Sequence, residues 1–173
     1  MRTAYQFRLA RESDACALAH VTQAAIRTIG RNAYSVEQTE VWASRHPGPR
    51  RFLDSLAAGD TIVVAVDGGA DGDADTGEPD APAAYLLLEN GAENGGHVDM
   101  LYCQPDHSRR GLADALLSHA EPYARARGHT RLFTEASELA RPAFERAGFT
   151  ILHRRDFSVA GVAIHNYAME KRL

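Results

Sequence analysis

Leu101-Tyr102-Cys103-Gln104-Pro105-Asp106-His107-Ser108-Arg109-Arg110-Gly111-Leu112-Ala113-Asp114-Ala115-Leu116-Leu117 reads as a strand, a proline-containing turn and the start of a helix. The helix is expected from about Arg110 to Arg127, with Leu112, Ala115, Leu116, His119 and Tyr123 on its inner face and Gly128 at its end. A strand that turns through glycine into a helix makes an anion site. The first N–H groups of the helix lack internal partners, and the helix dipole places partial positive charge there. Gly111 lets an anion approach the backbone closely, and Arg109 and Arg110 add charge. On charge alone, such a turn is more often a solvated basic corner. It is neither a P-loop, which needs a closing Gly-Lys-Ser/Thr, nor the dinucleotide Gly-x-Gly-x-x-Gly fingerprint.

Elements on either side suit a single α/β domain over 1–173. Tyr5 to Leu9 alternates as a half-buried strand does, and Ser13 or Asp14 is placed to cap a helix. Leu18, Val21, Thr22, Ala25, Ile26 and Ile29 give that helix an apolar face, and Gly30 reads as its stop. Ser35-Val36-Glu37-Gln38 has the capping-box pattern and opens a short helix through Trp42. Arg51 to Ala58 suits another helical piece, Thr61 to Val66 a buried strand and Ala83 to Glu89 its return. Between them, 67–82 is acidic and reads as a mobile connection. Asp71, Asp73 and Asp75 match the first ligands of a calcium loop, but Thr76 and Pro82 stand where that loop needs Gly and Glu; no metal is expected. Later come strands at His97–Cys103 and Arg131–Glu135, a helix at Leu139–Ala147, and closing strands at Phe149–Leu152 and Ala163–Met169. His153-Arg154-Arg155 reads as a solvated strand end.

Composition narrows the partners. The chain has 173 residues, enough to bury a core without staples, and a formal net charge of -4. An acidic balance speaks against nucleic acid, whose phosphates call for a basic surface. No apolar run is long enough to span a membrane and no signal-peptide h-region is visible, so a cytoplasmic protein without membrane contact is expected. Cys16 and Cys103, the only cysteines, read as small buried residues, not a disulfide or zinc framework.

The run from Leu101 to Leu117 closely resembles motif A of the GNAT acetyltransferases, whose signature is Gln/Arg-x-x-Gly-x-Gly/Ala. Ser108 holds the first signature position in place of Gln or Arg, and Ala113 the last. Ala140 to Phe149 resembles motif B, a helix ending in Gly-Phe; Asn166 to Lys171 resembles the terminal strand; Tyr34 to Trp42 recurs in the YafP-like branch. The resemblance implies a mixed, mostly antiparallel sheet of six or seven strands flanked by helices. It implies acetyl-CoA as co-substrate, lying in a splay between the strand ending at Cys103 and the strand ending at Glu135. The residues it places against the cofactor are Leu101, Tyr102, Cys103, Ser108, Arg109, Arg110, Gly111, Leu112, Ala113, Asp114, Ser137 and Phe144. Ser137 stands where many members have Asn, and Phe144 where many have the tyrosine acid.

The implied reaction is acetyl transfer to a primary amine of a small molecule or peptide; a non-catalytic acyl-CoA sensor is the alternative. Transfer needs a base for the amine proton, a polarised carbonyl and an acid for the thiolate. The family's frequent base position falls on His97, with Asp99 two residues on and on the same strand face if no bulge intervenes. With Phe144 unable to donate, Tyr102, Tyr34 and Tyr167 are the candidate acids. Tyr34, Gln38 and Trp42 fall at helical spacing; Tyr34 and Trp42 read either as core or as an acceptor wall, with Glu135 adding negative charge. A homodimer through the terminal strands is a further expectation.

Overall fold

A computed structural model describes residues 5–46, 48–68, 81–91 and 95–173. The reading of 67–82 as a mobile acidic connection, with its calcium-like aspartates, lies almost wholly outside those residues. Seven strands form one sheet in the order β1-β2-β3-β4-β5-β7-β6. They are β1 (Tyr5–Leu9), β2 (Thr61–Asp67), β3 (Pro82–Glu89), β4 (Gly96–Cys103), β5 (Arg131–Ala136), β6 (Thr150–Val159) and β7 (Val162–Arg172). Every neighbouring pair is antiparallel except β4 with β5. The mixed, mostly antiparallel sheet expected from the sequence is therefore present, with seven strands.

β2 and β3 are continuous apolar runs because helices cover both faces of the sheet. Val63, Ala65, Leu86 and Leu88 pack with Leu112, Leu116, Leu117 and Ala120 of α4 (Leu112–Ala126). Ile62, Val64, Tyr85 and Leu87 pack with Leu18 and Val21 of α1 (Ala15–Ala24) and Phe52 of α3 (Arg50–Ala57). The buried Tyr85 hydroxyl is satisfied by Thr22 Oγ1 at 2.6 Å. Phe144 of α5 (Arg141–Arg146) closes the α4 side.

Several local readings change. Asp14 does not cap α1 with its own side chain: it accepts from the Arg11 N–H at 2.7 Å and from Arg8 at 2.7 and 2.9 Å. Gly30 does not stop the first helix. The chain runs on as a π-helical segment, Ala25–Ile29, and a 3-10 turn, Gly30–Asn32. Glycine suits close packing there, since a Cβ would stand 3.2 Å from Thr39 Cγ2, tighter than an ordinary contact. The capping box forms in full at α2 (Val36–Ala43), but Tyr34 precedes the helix and does not share its face. α4 buries Leu112, Leu116, Leu117, Ala120 and Ala124, leaving His119 and Tyr123 exposed. Arg154 and Arg155 lie inside β6, an edge strand far longer than the expected Phe149–Leu152.

Candidate functional site

The site begins where β4 and β5 part. They pair only from Gly96↔Leu132 to Val98↔Thr134, although β4 runs on to Cys103 and β5 to Ala136. Thr134 Oγ1 donates to the Val98 carbonyl at 2.8 Å, satisfying an acceptor at the last paired position. A bulge helps to open the gap. Leu87 pairs with Met100 and Leu88 with Val98, so Asp99 is an extra residue on β4. Val98 and Met100 accordingly pack into opposite cores, where a regular strand would put them on one face. The condition on which His97 and Asp99 would share a strand face, the absence of a bulge, is therefore not met.

Two cavities flank the gap. The first, about 290 Å³, is lined by Ile26, Ile29 and Gly30 of the π-helical region, by Leu101 to Cys103, by the turn, and by Leu139, Pro142 and Arg146. Ser108, Arg109, Gly111, Leu112, Ala113, Asp114 and Ser137 also line it. Two expected cofactor residues do not. Arg110 turns away, donating to Asp106 O at 2.9 Å and Tyr5 Oη at 3.2 Å. Phe144 borders the second cavity and packs against Phe149.

The turn suits an anion. Gly111 is the residue before α4, at φ 80, with no side-chain cap on the helix. A Cβ on it would meet nothing within 4 Å, so glycine serves the left-handed backbone and leaves the approach open. Arg109 is also left-handed, at φ 59. Asp114 is held by Arg146 at 3.0 and 3.1 Å, which ties α4 to α5 and brings a further guanidinium to the cavity. Arg146 and His107 were not singled out from the sequence; nothing in their spacing marks them.

The second cavity, about 610 Å³, shares Trp42, Leu101, Tyr102, Ser137 and Ala140 with the first. Tyr34, Asp99 and Glu135 line it, as do Arg45, His46, Arg51, Arg155, His165 and Asn166. Tyr34 and Trp42 meet edge to face, with ring centroids 5.5 Å apart. The Tyr34 hydroxyl is fully engaged, donating to His165 O at 3.0 Å and accepting from the Glu138 N–H at 2.8 Å. Tyr167 donates to Glu138 at 2.7 Å and borders neither cavity. Bonds from His165, then Tyr167 and Arg141, hold the Glu138 carboxyl down at about 2.

His97 is not among the lining residues. Its Nδ1 lies 2.7 Å from Glu89 and its Nε2 2.6 Å from Glu135. Burial alone would lower its pKa, but the two carboxylates carry it up to about 9. At neutral pH it is an imidazolium donating from both nitrogens, not a base. Arg51 continues the chain of charges, donating to Glu89 at 2.6 Å and Asp99 at 2.7 Å. Glu89, His97 and Asp99 bring donor atoms within 4.8 Å of one another, but both His97 nitrogens and both carboxylates are already bonded. His46 differs: burial, ahead of the opposing pull of Asp99, lowers its pKa, so it is neutral at pH 7. In the sequence it stands beside Pro47-Gly48-Pro49, and no motif marks it. The Tyr102 phenol is raised by desolvation, against an indole bond from Trp42, and keeps its proton. Burial likewise lifts the Cys103 thiol to about 11.

Residues 79–171 match the family model described as an acetyltransferase (GNAT) domain. The chain belongs to the GNAT acetyltransferase family. Among GNAT relatives, the uncharacterized N-acetyltransferase YafP of Escherichia coli (strain K12) is 34% identical over 73 residues, 42% of this chain and 45% of that relative. The match thus spans less than half of YafP. A solved GCN5-related N-acetyltransferase from Rhodopseudomonas palustris is 28% identical, with TM-score 0.80 over 100% of this chain and 99% of that one. The PaiA N-acetyltransferase of Thermoplasma acidophilum, solved with coenzyme A, shares the fold at TM-score 0.73 and 16% identity, over 98% of this chain and 99% of that one. No helix among the described residues is long and apolar enough to cross a membrane.

Proposed function

We propose that the chain is an acetyl-CoA-dependent N-acetyltransferase that acetylates a primary amine of a small molecule or peptide by direct attack. The observation that carries this reading is the meeting of two cavities at Trp42, Leu101, Tyr102, Ser137 and Ala140. One is apolar and ends at an anion-binding turn; the other is polar and borders a neutral imidazole. The pyrophosphate fits the turn from Ser108 to Ala113, with Arg109 and Arg146 as counter-charges. The pantetheine arm fits between the π-helical segment and Leu101–Cys103. CoA complexes of relatives such as PaiA support acetyl-CoA as the donor.

In the reaction, the amine nitrogen bonds to the thioester carbonyl carbon and the carbon–sulfur bond breaks. The amine proton passes to His46, directly or through water, with Asp99 steadying the ammonium before it is lost. The thiolate takes a proton from Tyr102, the only one of the three candidate tyrosines that borders both cavities. His97 fixes the carboxylates around it.

Isothermal titration with acetyl-CoA, followed by thiol release with a panel of amines, tests the proposal. Binding with turnover is expected. Binding without turnover on any amine would favour the sensor reading, to which buried Phe144 in place of a tyrosine lends some weight. No binding at millimolar acetyl-CoA would overturn both.

A further inference from the structure

The acceptor cavity holds more than a seat for an amine. Three arginines line it, Arg45, Arg51 and Arg155, against two carboxylates, Asp99 and Glu135. The pairing among them is uneven. Arg51 is committed to Glu89 and Asp99. Glu135 is committed to His97 and lies 3.9 Å from Arg155. Arg45 is exposed, and its guanidinium makes no hydrogen bond or ion pair among the described residues. Asp99 accepts from Arg51 through Oδ2 alone, and its Oδ1 has no partner among the described residues.

An acceptor with a single positive charge would find Asp99 and leave the surplus cation facing it. A polycation would meet three guanidiniums. An acceptor carrying both signs would complement both free groups of the cavity, its ammonium at Asp99 and its anion at Arg45. A guanidinium presents a planar fork that matches a carboxylate with two parallel hydrogen bonds.

The geometry points to an acceptor that is an amine bearing a carboxylate, an amino acid or a compound of that type, held through its carboxylate by Arg45. This rests on the proposed acetyl transfer and names its substrate class. The transfer itself is unchanged: nitrogen acylated, CoA thiol released, carboxylate a spectator.

The test compares amino acids with amines of the same skeleton lacking the carboxylate, such as phenylalanine with phenethylamine and β-alanine with ethylamine. Binding is measured by isothermal titration into protein saturated with CoA, and turnover by thiol release. The amino acid of a pair should bind at least about tenfold more tightly, as suits a charged two-bond contact. Arg45→Gln should bring that ratio towards one, chiefly through KM, and Arg45→Lys should restore part of it. Amines that bind as well as their carboxylated partners, no binding by any amino acid, or a ratio untouched by Arg45→Gln would each overturn the inference. Failure of acetyl-CoA itself to bind would instead strike the underlying function, so the two failures are separable.

Discussion

His97 Nε2 lies 2.6 Å from Glu135 Oε2, joining β4 to β5 across the point where their backbones cease to pair. His97 is within the paired stretch and Glu135 is one residue past it. With Glu89 bonded to the other ring nitrogen, the imidazolium acts as a charged clasp at the closed end of the splay. The second cavity opens just beyond.

The clasp makes stability depend on pH. His97 titrates at an ordinary 6.5 when unfolded and at about 9 when folded. Its contribution is fully present below pH 6.5 and is lost as pH rises through 9, amounting to about 3 kcal/mol. Urea denaturation at pH 6.5 and pH 9.5 should show that decline in the native protein. His97→Gln should remove most of the difference; an equal decline in both proteins would refute the clasp.

Arg109 and Arg110 are neighbours in sequence but not in role. Arg109 lines the first cavity and has no ion pair among the described residues, whereas Arg110 is spent on Asp106 O and Tyr5. Arg109→Ala should weaken acetyl-CoA binding about tenfold, the loss of one charge-assisted contact. Arg110→Ala should cost less than about threefold. Titration calorimetry decides, and equal losses would show that the turn reorganises on binding.

His46 should set the acid limb of the rate profile. Its pKa lies below the ordinary imidazole value, so kcat should be flat near neutrality and fall as pH drops below that value. His46→Gln should lower kcat by about 10² or more and abolish that limb. A retained limb would move the base to a water held by Asp99.

The architecture and the strand-turn-helix around Gly111 were legible because both rest on local rules: apolar runs, a capping box at Ser35–Gln38, a glycine ahead of a helix. The second cavity was not. Arg45, His46, Arg51 and Arg155 come from α2's end, α3 and β6, and no spacing links them. His97 was read from the sequence as a base, but it lines neither cavity and carries a charge, because Glu89 and Glu135 approach it through strand pairing and packing that no spacing marks. Asp99 was assigned its face by counting, and the bulge makes that count unsafe.

Both closing strands were expected, but the length of the β6–β7 hairpin and its tight turn were missed for a reason that is itself testable. Its turn is Ala160-Gly161, with φ of 49 and 81, so both residues are left-handed. Turns of this kind favour Asn-Gly or Gly-Gly, and an alanine there gives no signal in sequence. Alanine also pays a steric penalty at positive φ, since its Cβ crowds the following carbonyl. Ala160→Gly or Ala160→Asn should therefore raise stability by about 0.5–1 kcal/mol, glycine's gain being trimmed by the freedom it adds to the unfolded chain. Both ends of the turn are exposed, so no packing is lost. Chemical denaturation of the two variants at pH 6.5, where the His97 clasp is closed, gives the comparison. A loss of stability in both would mean that the turn in solution departs from this left-handed pair, and that the β6 edge, which brings Arg155 to the acceptor cavity, is set by β7 alone.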